Sequence, residues 1–233
     1  MANCALSTAT VRWPWIILAV FLFMALPCEA ASPGGFLDSS VDEFEAQGHE
    51  MFKLCRKLNV PCGEEFARGY QHWRHKKPAL RLKNTTARNV LDEISRRNPG
   101  HRWVFQDGIV ILEPTQRTYQ DLLERRLARV SVHGRSSLDA ALDVFRQAKL
   151  KIGFMTMGNP LYAHVDLELT DVTVREALNA IAKADGQVMW NFVPTDVGKG
   201  RGSFYMGSWR TKGFDLKGKF HQREITQNDT FLQ

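Results

Sequence analysis

Four side chains in one short stretch could bind a metal or form a covalent bridge: Cys55, Cys62, His72 and His75. As C-x6-C followed by H-x2-H they outline a zinc site, but the histidines stand closer together than the usual three to five residues. The same cysteines admit a disulfide or a pair of buried thiols. Residues 68–78, RGYQHWRHKKP, hold the second candidate. Here Tyr70, Trp73, Arg74, His75, Lys76 and Lys77 interleave rings and cations without a packing period. Such a loop suits an anionic glycan or nucleic acid, since cations attract the chain and rings offer stacking surface, and a merely solvated loop is the alternative. Gly198, Gly200 and Gly202 alternate with Lys199 and Arg201, but between strands this run predicts a hairpin turn and not a phosphate loop. No HExxH, G-x-S-x-G or paired-acid frame and no cofactor motif occurs. The chain is therefore expected to be non-enzymatic, with no cofactor and no metal.

The elements that must position these residues come twice. LRLKNTTARNVLDEISRRNPGHRWVF at 80–105 and LELTDVTVREALNAIAKADGQVMWNF at 167–192 share eight identities over 26 positions without a gap. The shared residues include Leu91/Leu178, Ile94/Ile181, Arg88/Arg175, Trp103/Trp190 and Phe105/Phe192. Each tryptophan alternates with a phenylalanine, which places both rings on one strand face and predicts core packing. The paired arginines could hold a common anion, but a solvated helix face with a nearby acidic partner is the simpler reading. In a helix offset of 90 Cys55 corresponds to Phe145, and in a strand offset of 92 Cys62 corresponds to Phe154. Two cysteines standing where the other repeat has a bulky pair favour the Cys55–Cys62 bond.

The chain has 233 residues and a net charge of +6, which favours anionic partners without naming one. Residues 13–26, WPWIILAVFLFMAL, are too short to span a bilayer, and small residues precede a cut after Ala30, so residues 1–30 are expected to be a secretory signal peptide. An uncleaved anchor is the alternative. Residues 31–43, rich in Pro, Gly and Ser, are expected to be flexible. Next come a helix to about residue 58, a strand over 60–66, the basic loop, a strand at 79–83, a helix over 86–97 and a hairpin around Asp107-Gly108. An amphipathic linker helix is expected within 115–128. The second unit repeats the order from residue 129 to 210, with helices over 136–148 and 173–185, the latter opened by the capping box Thr173-Val174-Arg175-Glu176. Residues 211–233 form a polar tail. The fold class is α+β, with helices packed on small sheets.

The run VSVHGRSSLDAALDVFRQAKLKIGF, followed by VDLELTDVTVREALNAIAKADGQVMW, resembles the short N-terminal (STN) domain of secretins and TonB-dependent receptors. The helix motifs that carry the resemblance are Leu138-Asp139-Ala140-Ala141-Leu142 and Arg175-Glu176-Ala177-Leu178. Residues 44–114 resemble it less closely, with Arg88-Asn89-Val90-Leu91 at the second motif and no clear leading strand. The resemblance implies two tandem βαββαβ-type modules, at 44–114 and 129–210, in a periplasmic or secreted protein without a membrane span after processing. It also implies docking onto an envelope protein of a bacterium. Binding of an anionic polymer through residues 68–78 is the rival function.

Overall fold

A computed structural model of the chain describes residues 35–67, 78–116, 120–156 and 161–210. The expected signal peptide, the loop with Tyr70, Trp73, Arg74, His75, Lys76 and Lys77, and the tail 211–233 lie outside the described residues. The elements run in order: a 3-10 turn (Gly35–Asp38), β1 (Ser40–Ala46), α1 (Glu50–Leu58), β2 (Cys62–Glu65), β3 (Leu80–Thr86), α2 (Ala87–Arg97), β4 (His101–Gln106) and β5 (Ile109–Pro114). A helical turn (Gln120–Leu123) then leads to β6 (Arg126–Ser136), α3 (Ser137–Gln147), β7 (Lys151–Thr156), β8 (His164–Thr173), α4 (Val174–Asp185), β9 (Val188–Asp196) and β10 (Arg201–Ser208). The fold is α+β, with mixed sheets and, among the described residues, four helices of two turns or more.

Pairing is the same in the two halves. β1 pairs antiparallel with β3, and β6 with β8. β2 lies parallel to β5, and β7 to β10. β4 and β5 form an antiparallel hairpin, as do β9 and β10. The cap residues explain where α2 and α4 begin. Thr86 and Thr173 accept hydrogen bonds from the N–H groups of Asn89 and Glu176, and Glu176 completes its box by accepting from the Thr173 N–H.

Two expectations need correction. Residues 31–43 were expected to be flexible, with a helix from Phe44; instead, in the described part from residue 35, a 3-10 turn and β1 occupy this segment, so the first half has a leading strand. Val41, Phe44 and Ala46 are its buried positions, a spacing that breaks strict alternation. The phase slip lies opposite Asn84, which takes a left-handed φ of 49° in β3. Leu127, Val130 and Val132 repeat the pattern in β6, opposite Asp171 with φ 52° in β8. Asn and Asp tolerate this conformation better than other non-glycine residues. The linker helix expected within 115–128 is, in its described part, only the turn at Gln120–Leu123, after which β6 starts.

The halves join edge to edge. One sheet of six strands runs through both, in the order β4-β5-β2-β9-β10-β7, with β2 parallel to β9 across the seam. All described residues belong to a single compact unit. Because β2 is parallel to both β5 and β9, the equivalent strands β4 and β9 run in opposite directions while their order along the sheet is kept. Such a reversal turns the sheet over, so the two helix pairs cover opposite faces. Along β5, Ile109 and Ile111 join the core built on α3 and α4, whereas Val110 and Leu112 join the one built on α1 and α2. Along β9, Val188, Trp190 and Phe192 face the former and Met189 the latter. Each half thus buries the other's sheet.

Candidate functional site

The strand at the seam, β2, reads Cys-Gly-Glu-Glu, and all four residues are buried. Each has a distinct constraint. Cys62 is bonded to Cys55 of α1, with the Cα atoms 6.4 Å apart. In register terms Cys62 lies opposite Val110 as Phe154 lies opposite Phe204, so it occupies the position that a ring fills in the second half. The carbonyls of Cys55 and Phe145 likewise accept from the N–H groups of Val60 and Leu150. At Gly63 any Cβ would come within 2.5 Å of the Trp190 ring, its neighbour on β9, so only glycine clears the indole.

Glu64 and Glu65 point to opposite faces. Glu65 is 0 % exposed and meets Arg175, itself 4 % exposed, in a forked pair of 2.5 Å from Nε and 3.0 Å from Nη2. The third nitrogen, Nη1, donates to Glu124, just before β6. Burial works against the Arg175 charge, yet hydrogen bonds and attraction from Glu65 and Glu124 hold its pKa above the ordinary arginine range. On the other face the Asn191 amide donates to Glu64 at 3.2 Å, and Tyr205 lies beside Asn191 in the sheet register. The Tyr205 hydroxyl is buried without a hydrogen-bond partner, and burial, with the nearby Tyr162 and Glu64, raises its pKa. Sequence reading missed Glu64, Glu65 and Glu124; the available signal was a pair of acids within a short predicted strand, which burial obliges to find donors.

The repeat arginines therefore differ in their surroundings. Arg88 pairs with Asp38 at 3.5 Å at the surface, two residues before β1, and its guanidinium lies 5.9 Å from the Trp103 ring centre. Trp103 is half-buried and donates to Asp92 at 2.7 Å, while Trp190 is fully buried. Core packing accounts for Trp190 fully and for Trp103 only in part. Acidic partners satisfy both arginines, which removes the motive for a shared anion site, but the expected solvated face holds only for Arg88, since Arg175 is buried.

The outer faces of the two ribbons carry matched charges. Glu45–Arg81 and Glu43–Lys83 cross β1 and β3. Arg126–Asp171 and Arg129–Glu168 cross β6 and β8. Ser131, His133 and Glu168 have the residue types of a hydrolase relay, and Ser131 Oγ lies 3.2 Å from His133 Nε2, but Ser131 donates to Glu168 at the shorter 2.5 Å and the same carboxylate lies 2.9 Å from that ring nitrogen. The nitrogen a serine would need as base is thus shared with an acid, and all three side chains face water. Between β1 and α1 lies an open cleft of about 390 Å³, lined by Glu43, Phe44, Glu45, Lys53, Arg56 and Lys57. Among the described residues no group of three or more His, Cys, Asp or Glu is placed to hold a metal ion. His72 and His75 of the zinc alternative fall outside those residues. Gly198 and Gly200 lie in the turn between β9 and β10, where the Lys199 N–H donates to Asp196 and the Gly200 N–H to Val197, and Gly202 lies in β10.

Compared with protein-family models, with curated proteins and with solved structures, the chain matches none.

Proposed function

We propose that the chain is a non-enzymatic docking or adaptor protein of the bacterial cell envelope, periplasmic or secreted, and that its two halves are variants of one STN-like module fused through a common sheet. The observation that carries this reading is the recurrence of a helical turn followed by βαββαββ, with the same strand pairings in each half. The recurrence extends to the left-handed Asn84 and Asp171 and to arginines tied to an acid two residues before the first strand. A docking role accords with how the polar groups are used: the buried Glu64, Glu65 and Arg175 join strands and a helix to one another, and the exposed ones line two ribbons whose outer edges have no strand partner among the described residues. Unpaired strand edges are a common means of binding an extended segment of another protein. Among the described residues no helix is long and apolar enough to cross a membrane.

A pull-down from envelope extract with the exported protein, at low and high salt, tests the proposal. Capture of one protein that survives high salt supports docking. Retention on heparin or single-stranded DNA that salt abolishes, together with no protein captured, transfers the function to the basic segment 68–78.

A further inference from the structure

One place among the described strands departs from the charge pattern of the others. On β3, β4 and β6 the exposed cations face carboxylates: Arg81 and Lys83 face Glu45 and Glu43, Arg102 faces Glu113, and Arg126 and Arg129 face Asp171 and Glu168. At the end of the six-stranded sheet the rule inverts. Arg201 of β10 lies directly opposite Lys151 of β7 in a parallel register, so two cations sit side by side on one exposed face. Among the described residues neither makes an ion pair. Asp196, the register partner of Arg201 on its other side, is turned to Lys199 at 3.8 Å. Lys149, exposed, precedes β7, and the guanidinium of Arg125 lies 3.3 Å from where a Cβ on Gly200 would stand. Like charges directly opposite destabilise a strand pair, so this arrangement costs stability unless an anion joins it.

The same residues border an open strand edge. β7 is the terminal strand of the sheet, and its outer backbone donors and acceptors have no strand partner among the described residues. Gly153, exposed and without a side chain, leaves that backbone accessible. Resting on the docking reading, we infer that β7 is the partner-binding edge and that its partner is an acidic extended segment, added as a further strand with its carboxylates beside Lys151 and Arg201. A second copy of this chain is the wrong occupant, because β7 against β7 adds further lysines to the cluster. A polyanion or an anionic membrane would use the cations alone, whereas an acidic strand uses the cations and the edge together.

The test is fluorescence anisotropy with the full exported chain and labelled nine-residue peptides of alternating Glu and Val, alternating Lys and Val, and a Glu/Val form N-methylated at alternate residues. The Glu/Val peptide is expected to bind, and the Lys/Val and N-methylated forms to bind at least about tenfold more weakly. Lys151→Glu supplies the missing carboxylate opposite Arg201, so it should leave the melting temperature unchanged or raised while weakening the Glu/Val peptide by at least about tenfold. Lys83→Glu, at a matched site, should leave binding intact. Equal binding of the N-methylated peptide, with full competition by polyphosphate or phosphatidylglycerol vesicles, would show a charge-only surface and overturn the inference. So would absence of Glu/Val binding, or binding that Lys151→Glu leaves unchanged. If Lys151→Glu still captures the envelope protein in the pull-down, docking stands and only this edge is wrong.

Discussion

Removing the Arg175 guanidinium should destabilise the whole described unit, because the side chain neutralises Glu65 at the one strand pairing that, among the described residues, joins the halves of the sheet. Glu65 has no exposure of its own, so in Arg175→Met it must either stay ionised without a counter-charge or take up a proton. Breaking a buried pair in this way costs about 3–5 kcal/mol, a large part of the roughly 5–15 kcal/mol that holds a domain together. Glu124 adds little to this cost, since its half-exposed side chain can turn to water. Arg175→Lys should recover only part of the loss, for an ammonium cannot fork onto both carboxylate oxygens. The double variant Glu65→Leu with Arg175→Met should return close to wild-type stability, as apolar replacements of buried ion pairs often do. Urea unfolding followed by far-UV circular dichroism gives these values, and hydrogen exchange locates them. A single transition is expected, with amides of α1 and β4 losing protection together with those of α3. A cost of Arg175→Met under about 1 kcal/mol, a double variant as unstable as the single, or a loss of protection only in the second half would refute coupling of the halves through this pair.

Three further outcomes follow from the same core. Replacing Cys55 and Cys62 together with alanine opens a link of sequence separation 7 and should cost about 2–3 kcal/mol across the whole unit, and alkylation of the unreduced, denatured wild type should find neither thiol free. Gly63→Ala should lose about 1–3 kcal/mol through overlap with Trp190, visible as a lower urea midpoint and altered tryptophan fluorescence; an unchanged midpoint would mean that the indole moves aside at no cost. Burial pushes the pKa of His49 below its ordinary 6.5, against the pull of Glu50 and with the help of Lys53. The folded state therefore disfavours the protonated ring, so this contribution is complete above pH 6.5 and fades as the pH falls toward the folded value. Urea midpoints at pH 7 and pH 5 should differ more in wild type than in His49→Asn, where asparagine accepts the left-handed backbone (φ 53°); equal differences would clear His49 of the effect.

What the sequence disclosed and what it hid divides by whether a residue answers to its neighbours in the chain or to distant ones. The helices α2 and α4 were legible because Thr86 and Thr173 cap them locally and their buried residues recur every three or four positions. The hairpin between β4 and β5 was legible from Asp107-Gly108, both at positive φ. β1 was not. Its buried residues, Val41, Phe44 and Ala46, start at a helical spacing and end at a strand spacing, and the cause is Asn84, about forty positions away on the partner strand. The role of Glu65 was hidden for the same reason, since its partner Arg175 is 110 residues distant.

The union of the halves left a sign in β5. A strand of an isolated module with helices on one side should alternate, yet this one runs Ile109-Val110-Ile111-Leu112 without a polar break. Unbroken apolar runs belong to strands covered on both faces. The second cover comes from α4 of the other half, which reaches β5 only because the sheet continues through β2 and β9 and turns over on the way. Seen alone, the internal repeat argues for two separable modules, and the apolar run argues against separation. The run is the better guide, because it records burial that either half by itself would leave open to water. A fragment ending near residue 116 should therefore expose Ile109 and Ile111 and aggregate, whereas residues 35–210 should remain monodisperse by light scattering. A soluble, cooperatively folding first half would show that the second cover is dispensable and that the seam is a contact between domains already formed.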